Sequence, residues 1–135
     1  MSASHLFVYG TLRRFLAGRA AKELLQQATL LGPAQMPGRL YLVGEHYPGL
    51  VPEGDGQVIG ELYRLPEAMS LEELDEYEGC SAGDSEPHEF VRTMGEAALP
   101  GGERVQTWYY RYNLPVQDNQ RIPSGDFSLS LQEKK

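Results

Sequence analysis

The chain has 135 residues, 41% hydrophobic and 23% charged, which is one domain's worth of sequence with enough apolar residues to bury a core. A formal net charge of −7, with Arg13-Arg14 as the one adjacent arginine pair, argues against a nucleic-acid partner. Cys80 stands alone, so an internal disulfide is excluded and a reducing compartment fits, while no apolar run approaches the ~18 residues that span a bilayer. The N-terminus has no cationic region leading into an apolar stretch; no signal peptide is expected, and a cytoplasmic location with no membrane partner follows as the expectation.

The first element is Leu6-Phe7-Val8-Tyr9, a short apolar run rich in β-branched and aromatic residues that predicts a buried, central strand. It stops at Gly10, with Thr11 and Leu12 next. A glycine there lets the backbone turn sharply, and amides released from sheet pairing can form a concavity for an anion or an oxyanion. The same fragment also reads as an ordinary Gly-Thr turn. Good helix formers follow over 19–28, with Ala21, Leu24, Leu25 and Ala28 on one side. Thr29 begins a strand that Pro33 and Pro37 restrict to an edge or an irregular crossing. Arg39 to Val43 predicts a firmer strand.

The segment His46-Tyr47-Pro48-Gly49-Leu50-Val51-Pro52 predicts a turn that lays an aromatic and two aliphatics against the body of the protein. The next strand is 57–65, where Gly60 suggests close approach by another backbone or a ligand. Glu61 is a possible inward carboxylate there, although an edge or solvent position is the commoner fate.

Residues 70–79 carry the best-specified signal. Ser70 and Glu73 fit a capping box, Gly79 fits the residue that ends a helix, and Leu71, Leu74 and Glu78 fall on one helical stripe. Glu72, Glu73 and Glu76 point the other way, as a solvated face. Glu78 would therefore share an apolar face at a helix C-terminus, where desolvation and the helix dipole both oppose its ionisation and poise it as a general acid or base near neutral pH. The competing reading has the last turn fraying and Glu78 in water; the sequence alone leaves the two even.

Cys80 has no histidine arranged beside it and reads as a small bystander rather than a nucleophile. His5, His46 and His88 have no ligand spacing, so no metal and no cofactor are expected. A strand over 89–94, a connection over Gly95 to Gly102 and a strand over 103–112 predict a hairpin, and the aromatics of its second arm could supply a tyrosine hydroxyl to a pocket. From Asn113 onward the chain reads as loop with a turn at 122–127 and a frayed end at 132–135.

Taken in order, Tyr9-Gly10-Thr11-Leu12, Tyr47-Pro48-Gly49, Gly60-Glu61-Leu62-Tyr63, Leu74-Asp75-Glu76-Tyr77-Glu78-Gly79 and Trp108-Tyr109-Tyr110 resemble the gamma-glutamylcyclotransferase-like superfamily over about residues 6–112. Phe90-Val91-Arg92 departs from it, standing where the family tends to show a Tyr-Arg pair. The resemblance implies an α+β fold, a small mixed β-barrel with flanking helices, as a single domain over 1–135. It implies a catalytic Glu78 and a substrate pocket drawing on Tyr9, Gly10, Thr11, Leu12, Tyr47, Gly49 and Tyr110. The implied reaction is intramolecular: the α-amine of a γ-glutamyl compound attacks its own γ-carbonyl, giving 5-oxoproline and a free amine. The expected partner is that small molecule, with the chain a monomer or weak homodimer. Two rivals stay open at this point: the same pocket as a non-catalytic binding site for a small acyl or amine compound, and an interaction module with a vestigial pocket.

Overall fold

A computed structural model describes residues 4–9, 26–43, 48–66 and 90–126 of the chain. The described residues are almost all strand: β1 (His5–Val8), β2 (Thr29–Pro37), β3 (Arg39–Leu42), β4 (Pro48–Val51), β5 (Gln57–Arg64), β6 (Phe90–Ala98), β7 (Arg104–Tyr112) and β8 (Arg121–Ile122), with one 3-10 turn at Asp118–Gln120. They pair in the order β1-β5-β2-β6-β7-β4-β3-β8, and a parallel pairing of β1 with β7 closes the first five strands into a barrel. Closure leaves β4, β3 and β8 as an extension beyond β7. The fold is the expected mixed β-barrel. Both segments expected to form flanking helices, most of 19–28 and all of 70–78, lie outside the described residues; Gln26 to Ala28 form a turn and bend.

β1 shows why its sequence is an unbroken apolar run. Leu6 and Val8 pack in one cluster with Tyr63, Leu65, Phe90, Tyr110 and Tyr112, which is the layer outside the barrel. Phe7 packs with Met36, Val58, Leu62, Ala97 and Tyr109, which fill the barrel itself. A strand buried on both faces has no use for alternation, and each large side chain fully removed from water contributes about 1.5–3 kcal/mol of transfer free energy. β1 is central as predicted, with β5 on one side and β7 on the other.

On β5 the alternation separates the two layers. Val58 and Leu62 enter the barrel, while Tyr63 joins the outer layer. Glu61 lies opposite Val8 in the ladder, and paired residues share a face, so its half-buried side chain belongs to the outer layer and not to the barrel interior. Gly60 is the expected site of close approach. A Cβ there would lie 2.2 Å from the Val8 carbonyl oxygen and 2.8 Å from the Phe7 ring.

The prolines of β2 act as expected, though less severely than at a bare edge. β2 pairs with β5 along its length, with a bulge between Leu30 and Gly32, and meets β6 in register only at Gln35↔Ala98. Pro33 and Pro37 flank that single contact, and neither can donate to a ladder.

Two sequence expectations are corrected. The segment around Pro48-Gly49 is a strand rather than a turn: β4 pairs antiparallel with β3 (Leu42↔Pro48 to Arg39↔Val51) and parallel with β7 (Leu50↔Arg111). Proline is admitted because it is the first residue of the strand, where a missing N–H costs least. The presumed connection from Gly95 is likewise strand as far as Ala98, paired to β7 throughout, and the turn proper is Leu99–Glu103. Gly95 sits inside the ladder because the Tyr109 ring crosses it, where a Cβ would come within 2.8 Å of Cε1.

Candidate active site

β7 organises the site. Its antiparallel partner β6 takes one edge from Ala98↔Arg104 to Phe90↔Tyr112. A strand has two edges, so β1 (Leu6↔Trp108) and β4 (Leu50↔Arg111) must share the other, both parallel to β7 and one after the other along it. The chain leaves β1 at Tyr9, where β4 takes over.

Tyr9 occupies that changeover. Its phenol is buried, donates a short hydrogen bond to the Tyr110 carbonyl oxygen and accepts one from the Leu50 N–H at 3.2 Å. One side chain following β1 is thus tied to β7 and to β4. Leaving either backbone group unmet in this dry setting would cost about 1–3 kcal/mol. Sequence reading cannot find these two partners, because Leu50 and Tyr110 contribute main-chain groups that carry no signature in the residue type.

Gly49 is buried in β4 directly beneath Tyr112: a Cβ at position 49 would lie 2.7 Å from Tyr112 Cβ and 2.8 Å from Cγ. The Tyr112 ring in turn meets Phe90 edge-on, with centroids 5.5 Å apart at 69°. Tyr110, nominated for the pocket, is buried in the outer layer with Leu6, Val8 and Tyr63, and its carbonyl rather than its hydroxyl makes the bond to Tyr9. Arg92 lies over the Trp108 indole, 4.6 Å from its centroid, a cation–π contact that the sequence did not announce. Burial pushes the Tyr109 phenol, inside the barrel, above its ordinary pKa.

Of the nominated residues the structure therefore brings together Tyr9, Gly49 and Tyr110, around the junction of β1, β4 and β7. Gly10, Thr11, Leu12, Tyr47 and Glu78 lie outside the described residues, as do Cys80, His46 and His88. In sequence, Gly10 directly follows the Tyr9 anchor and Tyr47 directly precedes β4, so the two junction strands lead straight into those residues. Among the described residues no group of three or more His, Cys, Asp or Glu is placed to hold a metal ion, and no helix is long and apolar enough to cross a membrane.

Residues 6–129 match the family model described as gamma-glutamyl cyclotransferase, AIG2-like. The chain belongs to that family. Among its relatives, a gamma-glutamylaminecyclotransferase from Rattus norvegicus is 36% identical over 119 residues, covering 79% of this chain and 76% of the relative. Solved structures share the fold. An AIG2-like protein from Mus musculus superposes with a TM-score of 0.71 at 24% identity, over 93% of this chain and 88% of that one. An uncharacterized protein from Pyrococcus horikoshii gives 0.67 at 25% identity, over 98% and 96%. YkqA from Bacillus subtilis gives 0.71 at 24% identity over 99% of this chain, which spans only 44% of that protein's length. Family membership supports a cyclotransferase activity for the chain.

Proposed function

We propose that the protein converts a γ-glutamyl amine, or a γ-glutamyl amino acid, to 5-oxoproline and the free amine, in the cytoplasm and without a cofactor. The observation that carries this reading is the family match over residues 6–129, together with 36% identity to a protein named for acting on γ-glutamylamines. The chemistry needs no protein nucleophile. The substrate's α-amine forms the new C–N bond to its own γ-carbonyl carbon, and the bond from that carbon to the departing amine breaks.

Two proton transfers accompany this exchange. The α-ammonium must lose a proton before it attacks, and the departing nitrogen must gain one. In the proposal Glu78 does both as a shuttle, from the apolar stripe of the 70–78 segment where its pKa would stand above the ordinary carboxylate range. The amides of Gly10, Thr11 and Leu12 would hold the γ-oxygen as it gains charge, or the α-carboxylate. Tyr47 and Gly49 would form the opposite wall, carried in by β4. Folding the substrate so that amine and carbonyl meet supplies a further share by proximity.

The test is direct. The protein is incubated with a panel of γ-glutamyl compounds that differ in the amine, and 5-oxoproline is followed by mass spectrometry. Stoichiometric release of 5-oxoproline and amine from at least one compound is expected. Binding without turnover across the panel would replace the enzyme by a binding protein that uses the same pocket.

A further inference from the structure

The family resemblance implies a place for Tyr9 in the substrate pocket, but the hydroxyl is already engaged. A phenol has one O–H to donate. In Tyr9 that donor goes to the Tyr110 carbonyl, and a lone pair takes the Leu50 N–H at 3.2 Å. Tyr9 therefore has no proton to offer a substrate oxygen or a leaving amine unless it lets go of β7.

We infer that Tyr9 is a positioning residue: its phenol locks β4 against the β1–β7 pair, and so fixes the gap between the strand that leads into Gly10–Leu12 and the strand that carries Gly49. Three observations converge on this. β1 and β4 abut the same edge of β7 and each meets it at one registered pair, so neither has a ladder long enough to hold it there alone. The phenol spans the point where one partner gives way to the other, and these two bonds go to main-chain groups, so they constrain backbone position rather than a rotamer. Gly49, next to Leu50, is pressed against Tyr112 at a distance that admits no Cβ, so a small shift of β4 changes the contact at the pocket wall directly. This inference rests on the cyclotransferase reading and adds to it a residue that acts through β4 without touching the reacting atoms.

The test is Tyr9→Phe, which keeps the ring and removes both hydrogen bonds. With the γ-glutamyl compound that the wild-type protein turns over fastest, KM should rise about tenfold while kcat stays within about twofold, the pattern of lost ground-state binding rather than lost chemistry. Its Tm will also fall, so Met36→Ala serves as the comparison: Met36 is buried on β2, whose partners are β5 and β6, and its loss should lower Tm without moving KM. Trifluorotyrosine placed at position 9 keeps the fold even if the Phe variant does not. Its more acidic phenol loses the donated proton as pH rises, so KM should climb with an ionisation that the wild type lacks in the same range. A Tyr9→Phe protein with wild-type KM, or a fall in kcat alone, would overturn the positioning role and leave the enzyme reading intact; so would a flat KM profile for the trifluorotyrosine protein. A wild-type protein that releases no 5-oxoproline would overturn the enzyme reading itself and this inference with it.

Discussion

The barrel has two thin seams, and they differ in what fills them. Between β2 and β6 one registered pair, Gln35↔Ala98, holds the closure, flanked by Pro33 and Pro37. Between β1 and β7 there is also one, Leu6↔Trp108. Beside the first lies a cavity of about 230 Å³ whose side chains, Pro33, Ala34, Ile59, Ala98 and Leu99 with Gln35, are mostly apolar. The second is bridged by a buried phenol bonded to two backbone groups and leads directly into Gly10-Thr11-Leu12. An interrupted ladder is therefore not enough to make a site. A site also needs the strands at the interruption held in fixed positions, and at the β1–β7 seam the Tyr9 phenol holds them. At the β2–β6 seam the prolines have no N–H to donate, and no comparable side-chain bridge between strands is seen among the described residues.

The sharpest test of this difference is the carboxylate proposed to serve the polar seam. Glu78→Gln keeps size and most hydrogen bonding but cannot accept a proton, so 5-oxoproline release should fall by about a hundredfold to ten-thousandfold. Folding and substrate binding should survive, and thermal stability should hold or rise, a frequent trade-off at active sites. Glu76→Gln, which the sequence pattern assigns to the opposite, solvated face, should change little. A near-normal rate for Glu78→Gln would move the search for the acid–base group to Glu61, which the structure places on the outer layer opposite Val8.

Next in size is a pair of changes, one against β1 of the β1–β7 seam and one at the β2–β6 seam. Gly60→Ala drives a methyl into the Val8 carbonyl, 2.2 Å away, and into Phe7. β1 must move, at a cost of about 3 kcal/mol in denaturant unfolding, and activity should fall with it. Pro33→Ala at the other seam, on an exposed residue of β2, should stay within about 1 kcal/mol of wild type and leave activity unchanged. Equal losses of activity from the two variants would mean that the seams are not functionally distinct.

The smallest effect lies away from both seams, in the turn that follows β4. Asp55 accepts from Arg39 Nη2 at 2.7 Å and sits 3.6 Å from Arg121, while Glu53 pairs with Arg111 at 3.0 Å. The Arg39 hydrogen bond, with the charges of Arg39 and Arg121, holds the Asp55 carboxyl below the usual carboxylate range. A depressed pKa contributes stability that is present above the unfolded-state value and is lost as pH falls through the folded one. The turn is solvent-exposed and screened, so the contribution is small. Thermal melts from pH 5 down to pH 3 should show a slightly steeper loss for the wild type than for Asp55→Asn. Activity at neutral pH should not distinguish them.

Much of the fold was legible in local sequence. Leu6-Phe7-Val8 reads as a strand buried on both faces because nothing polar interrupts it, and Gly60 reads as a close approach because a strand tolerates glycine poorly without such a reason. Pro33 and Pro37 announce an interrupted ladder because proline lacks the donor. The motif order from Tyr9 to Tyr110 pointed to the family, which the match over 6–129 bears out.

What the chain could not show by itself is decided between distant segments. Pro48–Val51 has the composition of a turn and is a strand, because β3 and β7 supply partners on both sides. Gly95 looks like a break and lies mid-ladder, because a tyrosine fourteen positions on crosses it. Tyr9 looks like a pocket hydroxyl, yet it is held by main-chain groups at positions 50 and 110, which no side-chain pattern encodes. Backbone propensity and burial are properties of a few adjacent residues, and sequence carries them. Which edge a strand shares, and which carbonyl a phenol reaches, depend on how the barrel closes, and only the tertiary structure decides that.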